Sequence, residues 1–174
     1  VMVEAGPPRA LAVPLRAAPP SAEPGTVLER IPITPSLLVL RIARPPGLDF
    51  VPGQNVRVGV SGATHPYTIA SAPGDPYLEF CVELVPNGRL TPRLFALRPG
   101  EPASVGTRAK GSLVLDEGVS DHLMFATVTG VAPFISMLRH EQRSPRPGRR
   151  FMLVHGASSS AELVYRQELE DLVR

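Results

Sequence analysis

The sequence predicts two structural units in series, a small antiparallel β barrel followed by the beginning of a doubly wound parallel α/β sheet. In the first unit, short apolar segments such as residues 37–42, 55–60 and 78–84 alternate partially and are separated by proline and glycine turns. From residues 116–121 onward, the pattern changes to longer apolar strands and helices. The 21 prolines and 15 glycines also favour a turn-rich β architecture over a helical bundle.

The second unit has the pattern strand, helix, strand, helix. Residues 122–128 form a continuous apolar segment that suits a buried parallel strand, and Pro133 is well placed to open a helix. Residues 150–154 repeat the strand and residues 161–173 repeat the helix. Because a doubly wound sheet normally holds about five or six strands, we expect either a fragment or a naturally shortened protein that a partner chain completes.

One helix is predicted inside the first unit, over residues 90–97, with Leu90, Leu94 and Leu97 on one side. A helix start that faces a ligand can offer backbone amides to a pyrophosphate. The alanine- and proline-rich residues 1–24 predict a flexible extension. We therefore divide the chain into an extension (1–24), a barrel (25–117) and a partial nucleotide-binding unit (118–174).

Composition favours a cytoplasmic domain of ordinary hydrophobic content, 43%. A net charge of +2 is too small to indicate nucleic-acid binding. The single cysteine, Cys81, excludes an internal disulfide or a four-cysteine iron–sulfur cluster within this sequence.

The longest uncharged segment, residues 123–138, is short for a membrane span and contains Gly130 and Pro133, so we expect no integral membrane segment. His122 and His155 are too isolated to predict a metal site.

The most informative segment is His65-Pro66-Tyr67-Thr68-Ile69-Ala70-Ser71, where a basic side chain, an aromatic ring and a hydroxyl share one short strand. Alternation sends Tyr67 and Thr68 to opposite faces, and a strand edge leaves backbone amides for a ligand. The ring can stack on a flat heterocycle, and His65 can lie near a phosphate. These groups suit a flavin, although an ordinary barrel strand that contains a tyrosine gives the same short pattern.

Further segments follow in a fixed order, and with them the chain resembles the bacterial ferredoxin/flavodoxin–NADP reductases from about Thr26 to its last residue. In that family, the flavin segments have the patterns Arg-x-Tyr-Ser/Thr and Gly-x-Leu-Ser/Thr, and the nicotinamide segment has the pattern Gly-Thr-Gly-x-x-Pro. The matching pieces here are residues 50–54, His65-Pro66-Tyr67-Thr68, Val82-Glu83-Leu84, Gly88-Arg89-Leu90-Thr91, Val128-Thr129-Gly130-Val131-Ala132-Pro133 and Leu153-Val154-His155-Gly156.

The resemblance implies a six-stranded antiparallel FAD-binding barrel followed by an incomplete nicotinamide-dinucleotide domain. It implies that Tyr67 stacks on the isoalloxazine ring and that the Thr68 hydroxyl bonds near flavin N5, so these two residues are the catalytic candidates. The other implied cofactor-binding residues are His65 and Pro66 in the same flavin segment, Val82, Glu83 and Leu84 along the ribityl side, Gly88, Arg89, Leu90 and Thr91 at the pyrophosphate through amides and the Thr91 hydroxyl, and Thr129, Gly130 and Pro133 along the nicotinamide path.

The activity that the resemblance implies is reduction of ferredoxin or flavodoxin by NADPH or NADH through FAD. Two alternatives remain open. One is the reductase component of an oxygenase, which adds an iron–sulfur domain to the same two domains. The other is a non-catalytic flavin-binding module whose altered motifs no longer admit hydride.

Three departures from the family pattern bear on that activity. His65 replaces an arginine and lacks its bidentate fork, so we expect weaker FAD binding. Val128 replaces the first glycine of the nicotinamide motif, where close backbone approach is expected. Ser158 stands where NADP-specific relatives often have arginine, which removes the clearest indication of NADPH over NADH. Because Val128 narrows the dinucleotide path and the missing strands would have held the adenosine half, we expect the 174-residue chain to hold flavin but to be reduced slowly.

Overall fold

The computed structural model describes residues 2–3 and 25–172. The predicted flexible extension over residues 1–24 lies outside the described residues, apart from Met2 and Val3. The strands of the described part are β1 (Met2–Val3), β2 (Val27–Thr34), β3 (Leu37–Ala43), β4 (Asn55–Val60), β5 (Ala63–Thr68), β6 (Tyr77–Glu83), β7 (Ser104–Val105), β8 (Asp121–Thr127) and β9 (Arg150–Gly156). The α helices are α1 (Thr91–Ala96), α2 (Ala132–Arg143) and α3 (Arg166–Leu172), and short 3-10 helices cover Val128–Val131 and Ser160–Glu162.

The first unit consists of two three-stranded antiparallel sheets, with strand orders β2-β3-β6 and β5-β4-β7. Backbone bonds join the sheets at two corners, from the Ala70 amide to the Glu79 carbonyl (2.8 Å) and from the Val27 amide to the Glu101 carbonyl (2.9 Å). The predicted antiparallel architecture is therefore confirmed, whereas the strand ladders define two sheets and not one continuous closed barrel.

The two antiparallel sheets enclose one hydrophobic core, here called the first core. It combines side chains of β3, β4, β6 and α1, among them Leu40, Val56, Phe80 and Leu94. Strand β3 is buried on both faces, because Leu37 and Val39 turn away from this core and pack against the second unit. This double burial explains why residues 37–40 are continuously apolar where a half-exposed strand would alternate.

The second unit is built on β8 and β9, which pair in parallel from Asp121↔Arg150 to Thr127↔Gly156. Strand β1 pairs antiparallel with the other edge of β9. One face of β8 and β9 packs against α2 in the second core, which includes Met124, Ile135 and Leu153. The opposite face exposes large apolar side chains, namely Leu123, Phe125, Met152 and Val154.

The predicted helices of the second unit form, but the last one begins later than expected. Helix α2 opens with Pro133 in its first turn, as predicted. Residues 161–165 do not continue into α3, because a 3-10 turn over Ser160–Glu162 precedes Tyr165, whose φ is 65°. A left-handed residue cannot lie within an α helix, so α3 starts at Arg166.

A buried ionic network joins the two units. The Glu79 carboxylate is completely buried, and it accepts bonds from Arg41 Nε at 2.6 Å and from an Arg139 terminal nitrogen at 2.8 Å. Arg139 also binds Glu168 at 2.7 Å. Burial alone would raise the Glu79 pKa, but the charges of Arg139 and Arg41 outweigh it and lower the pKa, so the carboxylate stays ionised. The network thus ties β3 and β6 to α2 and α3.

No helix among the described residues is long and apolar enough to cross a membrane.

Candidate functional site

Tyr67 lies on β5 opposite Val56 of β4, and its ring packs at the margin of the first core. The ring centroid is 6.3 Å from that of Phe80 at an interplanar angle of 67°. It is 5.9 Å from the His65 ring at 77°. Both contacts are nearly perpendicular, so neither neighbour is stacked on the half-exposed ring. Burial raises the pKa of the Tyr67 hydroxyl, which keeps it protonated.

The neighbours of Tyr67 in the predicted flavin segment alternate between the two faces of the sheet, as in any β-strand. Thr68 lies opposite Asn55, on the face of the sheet away from Tyr67. His65 and Pro66 are exposed, and Thr68 is half-buried. The predicted separation of Tyr67 and Thr68 onto opposite faces is therefore present in the structure.

The segment predicted for the ribityl side lies at the end of β6. The Val82 side chain is buried in the first core, so only its backbone can face a ligand. Glu83 is exposed and Leu84 is half-buried, with the Leu84 amide bonded to the Ser36 carbonyl at 2.7 Å.

The turn before α1 is tightly packed around Gly88. The Gly88 amide donates to the Val85 carbonyl at 2.8 Å, and a Cβ at this position would lie 3.0 Å from that oxygen and 3.2 Å from Thr91 Oγ1. The Thr91 hydroxyl itself donates to the Val85 carbonyl at 3.1 Å and accepts from the Val85 amide at 2.9 Å. Its proton is therefore used to hold the turn. Arg89 is exposed and Leu90 is buried.

The predicted nicotinamide segment forms a tight turn at the carboxyl end of β8. Val128 has a φ of 43°, a left-handed conformation that costs a branched residue about 1–2 kcal/mol. Thr129 is half-buried, Pro133 is buried, and Gly130 is exposed with open space where a Cβ would stand. Ligands of open α/β sheets bind at this carboxyl edge.

His155, at the end of β9, is hydrogen-bonded to the backbone of this turn. Its Nε2 lies 3.0 Å from the Val128 carbonyl. Since a carbonyl only accepts, Nε2 carries the proton. Burial lowers the His155 pKa, and the bond to the carbonyl opposes this only partly, so the ring is neutral near pH 7. In the structure, His155 therefore supports the backbone of the Val128 turn.

The depressed His155 pKa predicts a pH dependence of folding. A histidine whose pKa is lower in the folded state resists protonation there, so its contribution to stability is complete above the usual pKa of 6.5 and is lost as the pH falls through the folded value. We expect the urea midpoint of unfolding to fall between pH 7 and pH 5 more steeply in the parent than in His155→Gln. Identical pH dependence of the two proteins would contradict this assignment.

Helix α2 links the turn that precedes it to the segment that follows β5. The Ser136 hydroxyl donates to the Ser71 carbonyl at 2.7 Å, and Arg139 donates to the Ala70 carbonyl at 3.1 Å. Ala70 and Ser71 follow directly after the flavin strand β5. Our sequence analysis missed these contacts, although polar residues at helical spacing on the predicted helix, Ser136 and Arg139, were a visible signal.

Known proteins with similar sequences include pyridine-nucleotide-dependent reductases. Residues 124–174 match the family described as the oxidoreductase NAD-binding domain. The chain is 35% identical over 133 residues to a flavodoxin/ferredoxin–NADP reductase of Escherichia coli (strain K12), which covers 73% of this chain and 53% of the relative. It is 34% identical over 130 residues to the 2-halobenzoate 1,2-dioxygenase electron transfer component of Burkholderia cepacia, covering 72% and 38%.

A solved structure with a similar fold is that of a ferredoxin NADP+ reductase from Neisseria gonorrhoeae with bound FAD and NADP. It superposes with a TM-score of 0.76 at 27% identity, covering 84% of this chain and 61% of that one. The chain is a relative of the ferredoxin/flavodoxin–NADP reductases. The predicted resemblance is thus confirmed, and the two antiparallel sheets followed by a parallel sheet with helices match part of the reductase fold. The chain spans about half the length of the curated relatives that it matches.

Proposed function

We propose that this protein is an FAD-dependent oxidoreductase that passes electrons between NADPH or NADH and a ferredoxin or flavodoxin. The observation that supports this most directly is the contact of α2 with Ala70 and Ser71, which holds the candidate nucleotide turn beside the candidate flavin strand. Bound FAD would supply the conversion between a two-electron hydride and single electrons. The chain itself would bind and orient the two cofactors.

The proposed flavin site fits the chemistry of its side chains. Tyr67 keeps a half-exposed ring without a stacked aromatic neighbour, as a partner for a flat heterocycle requires. Thr68 on the same strand offers a hydroxyl near the reactive edge. The Gly88 turn, where a Cβ would be tightly crowded, would present the backbone amides of Arg89, Leu90 and Thr91 to the pyrophosphate. In this proposal the Thr91 hydroxyl holds the turn and leaves the phosphate to the amides.

The proposed nucleotide site uses the turn between β8 and α2. Thr129 and Gly130 would face the nicotinamide half, and the open space at Gly130 permits close approach. Buried Pro133 would fix the start of α2 beneath it. At the end of β9, the Ser158 amide bonds to Glu162 at 3.2 Å, and no arginine occupies position 158. NADPH and NADH therefore both stay as candidates.

We also propose that residues 25–117 form a six-stranded barrel and residues 118–174 the beginning of a nucleotide domain. The shared first core and the two corner bonds at Ala70 and Val27 support closure of the barrel. The change from antiparallel to parallel pairing after residue 117 supports the boundary.

The charge distribution near β5 suits an acidic protein partner. Residues 50–74 contain no aspartate or glutamate. Arg57, Arg108 and Lys110 are exposed near β4, and no salt bridge engages any of them in the described part of the chain. The Lys110 backbone bonds to Asn55, the neighbour of Thr68, so the cationic surface borders the proposed flavin site. Complementary charge of this kind steers association and orients a partner.

Removal of the Tyr67 ring tests the flavin site. Tyr67→Ala should weaken FAD binding about 2- to 10-fold, because aromatic stacking contributes about 0.5–1.5 kcal/mol beyond burial. Tyr67→Phe retains the ring and is the matched control, with affinity close to that of the parent. The measurement is a fluorescence titration, after an absorption spectrum and extraction have identified the flavin. Equal affinity of the alanine variant and the parent would sink the assignment.

The oxygenase-reductase alternative is favoured by the 34% identity with the dioxygenase electron transfer component. The electron acceptor distinguishes the two enzymes: ferredoxin or flavodoxin in the first proposal, an oxygenase component in the second. A flavin that is bound but never reduced by NADPH or NADH would instead favour the non-catalytic flavin-binding module.

A further inference from the structure

Three polar side chains form one stripe along α2. Ser136, Arg139 and Arg143 follow the i, i+3 and i+7 spacing that places residues on a single helix face. All three bond to the β5–β6 connection, defined here as residues 69–76. This stripe lies on a helix whose other buried residues are mainly apolar.

The stripe holds the backbone of the connection. The Ser136 hydroxyl donates to the Ser71 carbonyl at 2.7 Å, and both serines are completely buried. Arg139 donates to the adjacent Ala70 carbonyl at 3.1 Å. Arg143 binds Asp75 Oδ1 at 2.6 Å, and Asp75 Oδ2 accepts the Ala72 amide at 2.7 Å. Residues 70–72 are therefore fixed to α2 either directly or through Asp75.

Both ends of this link lie next to a proposed cofactor site. Thr68 precedes Ala70 by two residues, with its backbone in the same chain segment. Gly130 lies in the 3-10 helix that leads into α2 and precedes Ser136 by six residues, roughly 10 Å along the two helices. Because a helix is stiff and the bonds are made to backbone carbonyl groups, a shift of the nucleotide turn would move the flavin strand with it.

We propose that the α2 stripe sets the separation between the flavin strand and the nucleotide turn, and that Ser136 is a positioning residue for hydride transfer. This inference rests on the proposed function. Arg139 also takes part in the buried ionic network, so its replacement would lower the stability of the fold as well as release the connection. Ser136 makes one short neutral bond, so its removal changes position with little change in charge. Hydride transfer depends steeply on the distance between the reacting atoms, so a small displacement has a large effect on rate.

The first test compares Ser136→Ala with Gln142→Ala, an exposed position on the same helix, in the flavin-loaded 174-residue protein. Stopped-flow reduction by NADPH and NADH should show a limiting rate about tenfold lower in Ser136→Ala. Flavin affinity and the half-saturating nucleotide concentration should stay within about threefold of the parent, and Gln142→Ala should match the parent. An unchanged limiting rate, or a loss that only parallels flavin release, would overturn the positioning role.

A second test needs neither nucleotide nor turnover. Hydrogen exchange at the amides of residues 68–72 should accelerate in Ser136→Ala and, to a smaller degree, in Arg143→Gln, while residues 27–34 exchange as in the parent. Unchanged exchange at residues 68–72 in both variants would overturn the link itself. A parent protein that neither nucleotide reduces would overturn the proposed function and the positioning role with it, whatever the exchange shows.

Discussion

Replacement of Arg139 by methionine is expected to lower the free energy of unfolding by about 3–5 kcal/mol. The guanidinium supplies one of the two cations that neutralise the completely buried Glu79, and it also donates to Glu168 and to the Ala70 carbonyl. Methionine replaces only the apolar stem of the side chain and, among the described residues, leaves Arg41 as the one cation bonded to Glu79. A buried carboxylate that loses one of its two cationic partners destabilises the folded state strongly. The loss is large because domains of this size are stable by only about 5–15 kcal/mol.

The matched control for this variant is Arg166→Met. Arg166 also pairs with a glutamate, Glu170, at 2.7 Å, but both side chains are largely exposed. An exposed pair of this kind contributes about 0–1 kcal/mol. Urea unfolding of the two variants measures the difference, and a loss below about 1 kcal/mol for Arg139→Met would show that Arg41 is sufficient for Glu79.

Local patterns in the sequence identified most of the secondary structure but not the network that joins the two units. Strands such as β4 and helix α2 were predicted because alternation and helical spacing are properties of adjacent residues. Glu79 and Arg139 are 60 residues apart, and their pairing depends on the packing of β6 against α2. No local pattern specifies such a contact, so the sequence gives no direct sign of it.

The candidate site shows the same division between local and tertiary information. The alternation of Tyr67 and Thr68 followed from strand geometry alone. The use of the Thr91 hydroxyl by Val85 and the support of Val128 by His155 depend on how loops fold back, and neither was predicted. Sequence analysis identified Val128 as a departure from the family pattern, and only the structure shows that its backbone is left-handed.

Val128→Gly is expected to speed reduction of the bound flavin about tenfold, with little change in stability. The Val128 side chain is partly buried and packs against the second core. In the proposed nucleotide site the obstacle would be the backbone of the turn, because a Cβ at a φ of 43° would keep that backbone from approaching a ligand closely. Glycine relieves strain of about 1–2 kcal/mol, which is offset by its own entropy cost and by the lost packing.

Val128→Ala separates the two explanations, because alanine removes the branched methyl groups but keeps the Cβ. If backbone approach limits the reaction, alanine should change the limiting rate less than about twofold and should destabilise the fold, since it loses packing without relieving the left-handed strain. Stopped-flow bleaching of the flavin by NADPH and NADH gives the limiting rates. The reference is the parent protein, in which we expect reduction of the flavin to be slow. Equal acceleration by alanine and glycine would show that the methyl groups block the path, and no acceleration by either would place the nicotinamide away from this turn.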